Sequence, residues 1–163
     1  MSLNHIKLNT RLLTDLYPDV LIQSTSTTTV PDYQPIKYLG KNAKHIALLI
    51  NNPSLPYLPD NELSFLTSIL SACKLSLADV AIVNLHSIPI NRMEENLQSL
   101  DANIVILFGM DPLSIDLPIN FPQFQLQGFN GKTYLFSPTL QELEMDKALK
   151  LKLWNCLKTL FGI

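Results

Sequence analysis

A chain of 163 residues in which 47% are hydrophobic and 16% charged carries enough apolar side chains for one buried core, and too little charge to stay a self-repelling disordered polymer. Its formal net charge of −2 excludes a general DNA coat, which needs a basic surface to release the counterions of the phosphates. The low charge also leaves much uncharged surface, which suits a face for binding another protein.

The N-terminal "MSLNHIKLNT" lacks the apolar core of a signal peptide, and no apolar run approaches the ~18 residues of a membrane span. The expectation is a soluble, cytoplasmic protein without a membrane attachment. "TRLLTDLYPDVLI" predicts a short amphipathic helix with Leu12, Leu13, Leu16 and Tyr17 on one face, stopped by Pro18. The polar, β-branched "QSTSTTTVPDYQP", from Gln23 to Pro35, then reads as a linker or irregular extended segment. This shift in composition divides the chain into an N-terminal arm, 1–35, and a compact domain, 36–163.

Within the domain, "HIALLINN" from His45 is a continuous apolar run ending in polar residues, the pattern of a strand buried on both faces. A proline-rich loop, "PSLPYLPD", leads to a helix over "NELSFLTSILSACKL", with Asp60 as its N-cap and Leu63, Leu66, Leu70 and Cys73 on the buried face. "VAIVNL" from Val80 is the second strand, and "NRMEENLQSL" places Met93, Leu97 and Leu100 on one side of another helix. "NIVILF" is the third strand, closed by a turn at Gly109. "QFQLQGF" and "KTYLFS", joined by Asn130 and Gly131, predict a hairpin, because an Asn-Gly pair tolerates the positive φ of a two-residue turn. Strands alternating with helices and then a hairpin give the fold class: a three-layer α/β/α sandwich with a mixed, mainly parallel sheet and a C-terminal hairpin and helix.

The closing stretch places Glu142, Glu144 and Asp146 ahead of Lys147, Lys150, Lys152 and Lys158, a charge order that complements the helix dipole. Leu149, Leu153, Trp154, Leu157, Leu160 and Phe161 recur at steps of three and four, so the lysines read as the solvated edge of a docked helix and Trp154 as buried. Contact with nucleic acid is then expected only indirectly.

Signals for chemistry are sparse. His5, His45 and His86 are scattered and form no local ligand pair, and with 5 glycines the chain has no P-loop or dinucleotide fingerprint. Cys73 and Cys156 are expected as free, buried thiols, too few and too separated for zinc. No cofactor, metal or catalytic residue is therefore assigned. Two alternatives stay open. In "FGMDPLSIDLP" the Gly-x-Asp-Pro core resembles the loop carrying the catalytic aspartate of uracil-DNA glycosylases, with Asp111 in that role; aspartate before proline is equally the start of a helix. A small nucleotide ligand at the carboxyl ends of the strands, near Asn51, Asn52 and Asn84, is the other.

The stretch from Ile46 to Leu85, "IALLINNPSLPYLPDNELSFLTSILSACKLSLADVAIVNL", and the closing "SPTLQELEMDKALKLKLW" resemble the psi subunit of the bacterial DNA polymerase III holoenzyme. The second stretch is similar in its strand end, Ser-Pro, leucine-spaced turn, acidic residue and basic helix reaching Leu-Trp. The arm segment "RLLTDLYPDVLI" also resembles the short segment preceding that family's domain, but lacks the tryptophan and basic residues that follow it there. The resemblance implies a non-catalytic connector on a glycosylase-like scaffold. Its N-terminal peptide, here Leu12, Leu13, Leu16 and Tyr17, would dock on clamp-loader subunits, and its body would hold a chi-like subunit that contacts single-stranded-DNA-binding protein.

Overall fold

The computed structural model describes residues 35–163. Leu12, Leu13, Leu16 and Tyr17, with the rest of the arm and His5, lie outside the described residues.

The described chain is an α/β domain built on one mixed six-stranded sheet. Its strands are β1 (Leu39–Gly40), β2 (Ile46–Ile50), β3 (Val80–Asn84), β4 (Ile104–Phe108), β5 (Leu126–Phe129) and β6 (Lys132–Ser137). They lie in the order β1-β3-β2-β4-β6-β5. The four central strands are parallel, while β1 and β5 run antiparallel at the two edges. In the central strands Ile46 is in register with Val80 and Ile104.

The unbroken apolar runs of β2, β3 and β4 follow from burial on both sides. Ile46, Leu48 and Ile50 enter one core cluster and Ala47 and Leu49 the other, as side chains alternate across the sheet. The first cluster also holds Leu66 and Leu70 from α1 (Asp60–Ala72), and the second holds Met93 and Leu97 from α2 (Met93–Ser99). Two further helices, α3 (Leu140–Met145) and α4 (Lys147–Phe161), contribute Leu143, Leu153 and Leu157 to the first cluster. The Asn130–Gly131 turn closes the β5–β6 hairpin with φ values of 49° and 74°, the backbone that an L side chain other than asparagine or aspartate rarely adopts.

Three expectations need correction. Pro59, not Asp60, occupies the N-cap of α1; it offers no side-chain acceptor, and Asp60 is the first helical residue. The closing helix is two helices, because Asp146 adopts an extended backbone (φ −112°, ψ 113°) between α3 and α4. Trp154 is half-buried at the rim of the first cluster, while its neighbour Leu153 is the residue that enters the core. The indole packs against the outside of the first cluster and stays partly open to solvent.

Candidate functional site

The chain passes from β2 to β3 on one side and later to β4 on the other, so the loops leaving β2 and β4 diverge. That divergence opens a crevice at the carboxyl ends of parallel strands, where ligands of α/β proteins bind. Three polar loops meet there: Asn51–Pro59 after β2, Asn84 at the end of β3, and Gly109–Asp111 after β4.

Asn84 is buried, and its amide is engaged with the backbone. Its Nδ2 donates to the carbonyls of Asn52 (2.9 Å) and Leu55 (2.7 Å), and its Oδ1 accepts from the amides of Asn52 (3.0 Å) and His86 (3.2 Å). The side chain thus clamps the proline-rich loop onto the end of the neighbouring strand. Asn52 adds a local bond, its Oδ1 accepting from the amide of Ser54 at 2.9 Å. This network holds the 52–55 backbone against the end of β3.

Asp111 is exposed. Its Oδ1 accepts from the amide of Leu113 at 2.9 Å and so caps a 3-10 turn over Pro112–Ile115, with Pro112 at the first position of the turn. Its carbonyl accepts from the Ser114 hydroxyl at 2.6 Å. The glycine before it is required by packing. Gly109 has φ 68°, its amide donates to the Ser137 carbonyl at 2.8 Å, and a Cβ there would run into the Thr139 side chain.

Two hollows flank these loops. One, of about 370 Å³, is lined by Asn51, Asn52, Leu55, Glu62, Thr139 and Gln141 among others; the second, of about 300 Å³, takes Asn51, His86, Met110 and Ser114 into its walls. Asp111 lines neither hollow.

The histidines are not brought together. His86 is exposed beside the second hollow, whereas His45 sits before β2, at the opposite end of the sheet, where its Nδ1 donates to the Asp101 carbonyl (2.9 Å) and lies 3.4 Å from the Asp101 carboxylate. Cys73 and Cys156 are both free, and burial pushes both thiols above their ordinary range, which leaves little reactive thiolate. Cys73 is buried; Cys156 is only half-buried, and its Sγ donates to the Phe124 carbonyl at 3.0 Å. Among the described residues no group of three or more His, Cys, Asp and Glu side chains is placed to share a metal ion, and no helix is long and apolar enough to cross a membrane.

The acidic residues of the closing stretch have specific local partners. Thr139 and Glu142 form a reciprocal capping box on α3: Thr139 Oγ1 accepts from the Glu142 amide, and Glu142 Oε2 accepts from the Thr139 amide at 3.0 Å. Asp146 caps α4, its Oδ1 accepting from the amides of Ala148 (2.7 Å) and Leu149 (3.4 Å). Three of the lysines lie over aromatic rings: Lys150 over Phe65 at 5.2 Å, Lys152 over Phe124 at 5.9 Å and Lys158 over Trp154 at 5.8 Å. Their stems cover apolar surface in the manner of snorkelling side chains.

Sequence reasoning missed Glu62 and Gln141, which meet across α1 and α3 with Gln141 Nε2 donating to Glu62 Oε1 at 2.9 Å. The one local signal was a glutamate three residues after a helix-starting proline. No protein-family model and no curated protein matches the chain.

Proposed function

We propose that the chain is a non-catalytic accessory subunit of a DNA-replication assembly, a psi-like connector between clamp-loader subunits and a chi-like partner that contacts single-stranded-DNA-binding protein. The observation that carries this reading is the closing segment. The strand β6 ends at Ser137, Pro138 follows, Leu140 and Leu143 of the capped α3 are buried, Asp146 breaks the chain, and α4 runs through the basic stretch to Leu153 and Trp154. The sequence pattern that resembles the psi family therefore corresponds, step for step, to a strand exit, a capped turn and a docked helix.

Further support comes from the carboxyl ends of the strands, where Asn84 and Asp111 both hold backbone in place. Helical residues in both core clusters support a three-layer α/β/α arrangement, with a sheet parallel at its centre. In this reading the protein works in the cytoplasm, touches nucleic acid only through its partners, and uses Leu12, Leu13, Leu16 and Tyr17 as the docking segment for the clamp loader.

Purification of the tagged full chain from its source organism tests the reading. Clamp-loader subunits should be retained, and should be lost when Leu13 and Leu16 are changed to glutamate while the melting temperature stays unchanged. Failure of the unaltered chain to enrich any of them overturns the reading.

A further inference from the structure

Tyr134, on β6, belongs to the second core cluster and is only 3% exposed. Its hydroxyl has no hydrogen-bond partner among the described residues, yet it is not sealed, since the buried polar atoms without a partner there are Asn42 Oδ1 and Ser137 Oγ. The hydroxyl therefore opens onto a hollow of about 180 Å³ that Tyr134 lines, between α2, the chain after the 3-10 turn and the β5–β6 hairpin. Burial first, and the Glu94 charge after it, push the phenol above its ordinary range, so at neutral pH it keeps its proton and can donate it.

The walls set the character of a ligand. Met93, Leu97, Ile115 and Leu117 are buried and Phe129 is half-buried, so the interior is apolar. A thioether and a phenyl ring favour an aromatic guest, through sulfur–aromatic and offset ring contacts. The volume is well below the ~300–1,000 Å³ of drug-sized sites and suits a single ring with a small substituent.

Charge at the rim narrows the choice further. Glu94 and Asp116 are exposed there, and neither is ion-paired with Lys132, whose Nζ donates to the Leu97 carbonyl at 3.1 Å. Two carboxylates against one ammonium disfavour an anion. A cation would be drawn to those carboxylates at the rim and would leave the Tyr134 proton without an acceptor. An uncharged molecule with a small, strong acceptor such as a carbonyl oxygen meets both requirements.

We propose that this hollow is a binding site for a small, uncharged aromatic carbonyl compound, its ring against Met93, Leu97 and Phe129 and its carbonyl oxygen accepting from the Tyr134 hydroxyl. The inference goes beyond the replication reading and does not depend on it.

Titration of the isotopically labelled full chain with benzamide, followed by amide NMR, tests it. Saturable shifts are expected at Leu97, Asp116 and Tyr134. Benzoate has nearly the same shape with a negative charge added, and should bind at least about fivefold more weakly because Glu94 and Asp116 repel it. Tyr134→Phe keeps the ring packing and removes the donor, and should weaken benzamide about fivefold, the typical worth of one hydrogen bond. The benzoate comparison uses the unaltered protein and so stands even where the variant is unstable. Benzoate binding as tightly as benzamide, an unchanged benzamide affinity in Tyr134→Phe, or no saturable shift at these residues overturns the proposal.

Discussion

Asn84 and Asp111 end neighbouring stretches of the same kind, each a polar side chain just where an apolar strand meets a loop, and they have opposite energetic standing. Asn84 is buried with its side-chain amide bound to the backbone of Asn52, Leu55 and His86. Asp111 is exposed and makes a single side-chain bond to the amide two residues on, which water replaces at small cost. Position at a strand end therefore says little about role. Burial decides whether the polar group is a fastener or a replaceable cap.

The largest effect that tests this contrast is expected at Asn84. Replacing it with leucine keeps the approximate volume but strands two carbonyls and an amide of the 52–55 loop, and should destabilise the domain by about 3 kcal/mol. Urea unfolding of the two proteins measures it; a loss below about 1 kcal/mol would mean that the loop finds other partners.

At Asp111 the expected effects are smaller and separable. Alanine should cost about 1 kcal/mol through the lost cap, and asparagine almost nothing, because its side-chain oxygen still accepts from Leu113. Incubation with uracil-containing DNA sharpens the functional side: no uracil release is expected from the unaltered protein, and a release abolished in Asp111→Asn would restore the glycosylase reading.

The smallest effect concerns Asp79, at the other end of β3. The amide and hydroxyl of Ser76 donate to its Oδ2 at 2.7 and 2.9 Å, and these bonds, the backbone one foremost, hold its carboxyl below the ordinary range. A carboxylate lowered on folding stabilises the native state above its unfolded value of about 3.9, and that stabilisation is lost as pH falls through the lowered folded value. The carboxylate lies at the surface, where solvent screens it, so the contribution is slight. Unfolding midpoints of the unaltered protein and Asp79→Asn should differ at neutral pH and converge in acid; a difference that persists in acid would point to packing in place of charge.

Much of this was legible from local pattern. The three buried strands, the Asn-Gly hairpin and the apolar faces of α1 and α2 follow from periodicity and turn chemistry, which act within a few residues of the chain. The acidic cluster of the closing stretch was read as helix-dipole complement, and the specific caps made by Glu142 and Asp146 extend that reading. Where prediction failed, either the local backbone decided, as at Pro59 and Asp146, or the partner was distant, as for Glu62 and Gln141. Trp154 belongs to an apolar helix face by spacing, yet it is Leu153 and Leu157 of α4 that enter the cluster, and Trp154 packs against its outside.

By itself the sequence determined the three buried strands, the hairpin and the apolar faces of α1 and α2, because burial on two faces demands unbroken apolar runs and burial on one face demands a helical or alternating stripe. Only the tertiary structure decided the strand order, the fastening of the 52–55 loop by Asn84 across 32 residues, and the meeting of Glu62 with Gln141 across 79. Such pairings carry no local signature. Their energy comes from excluding water around groups that the chain brings together only once the sheet has formed.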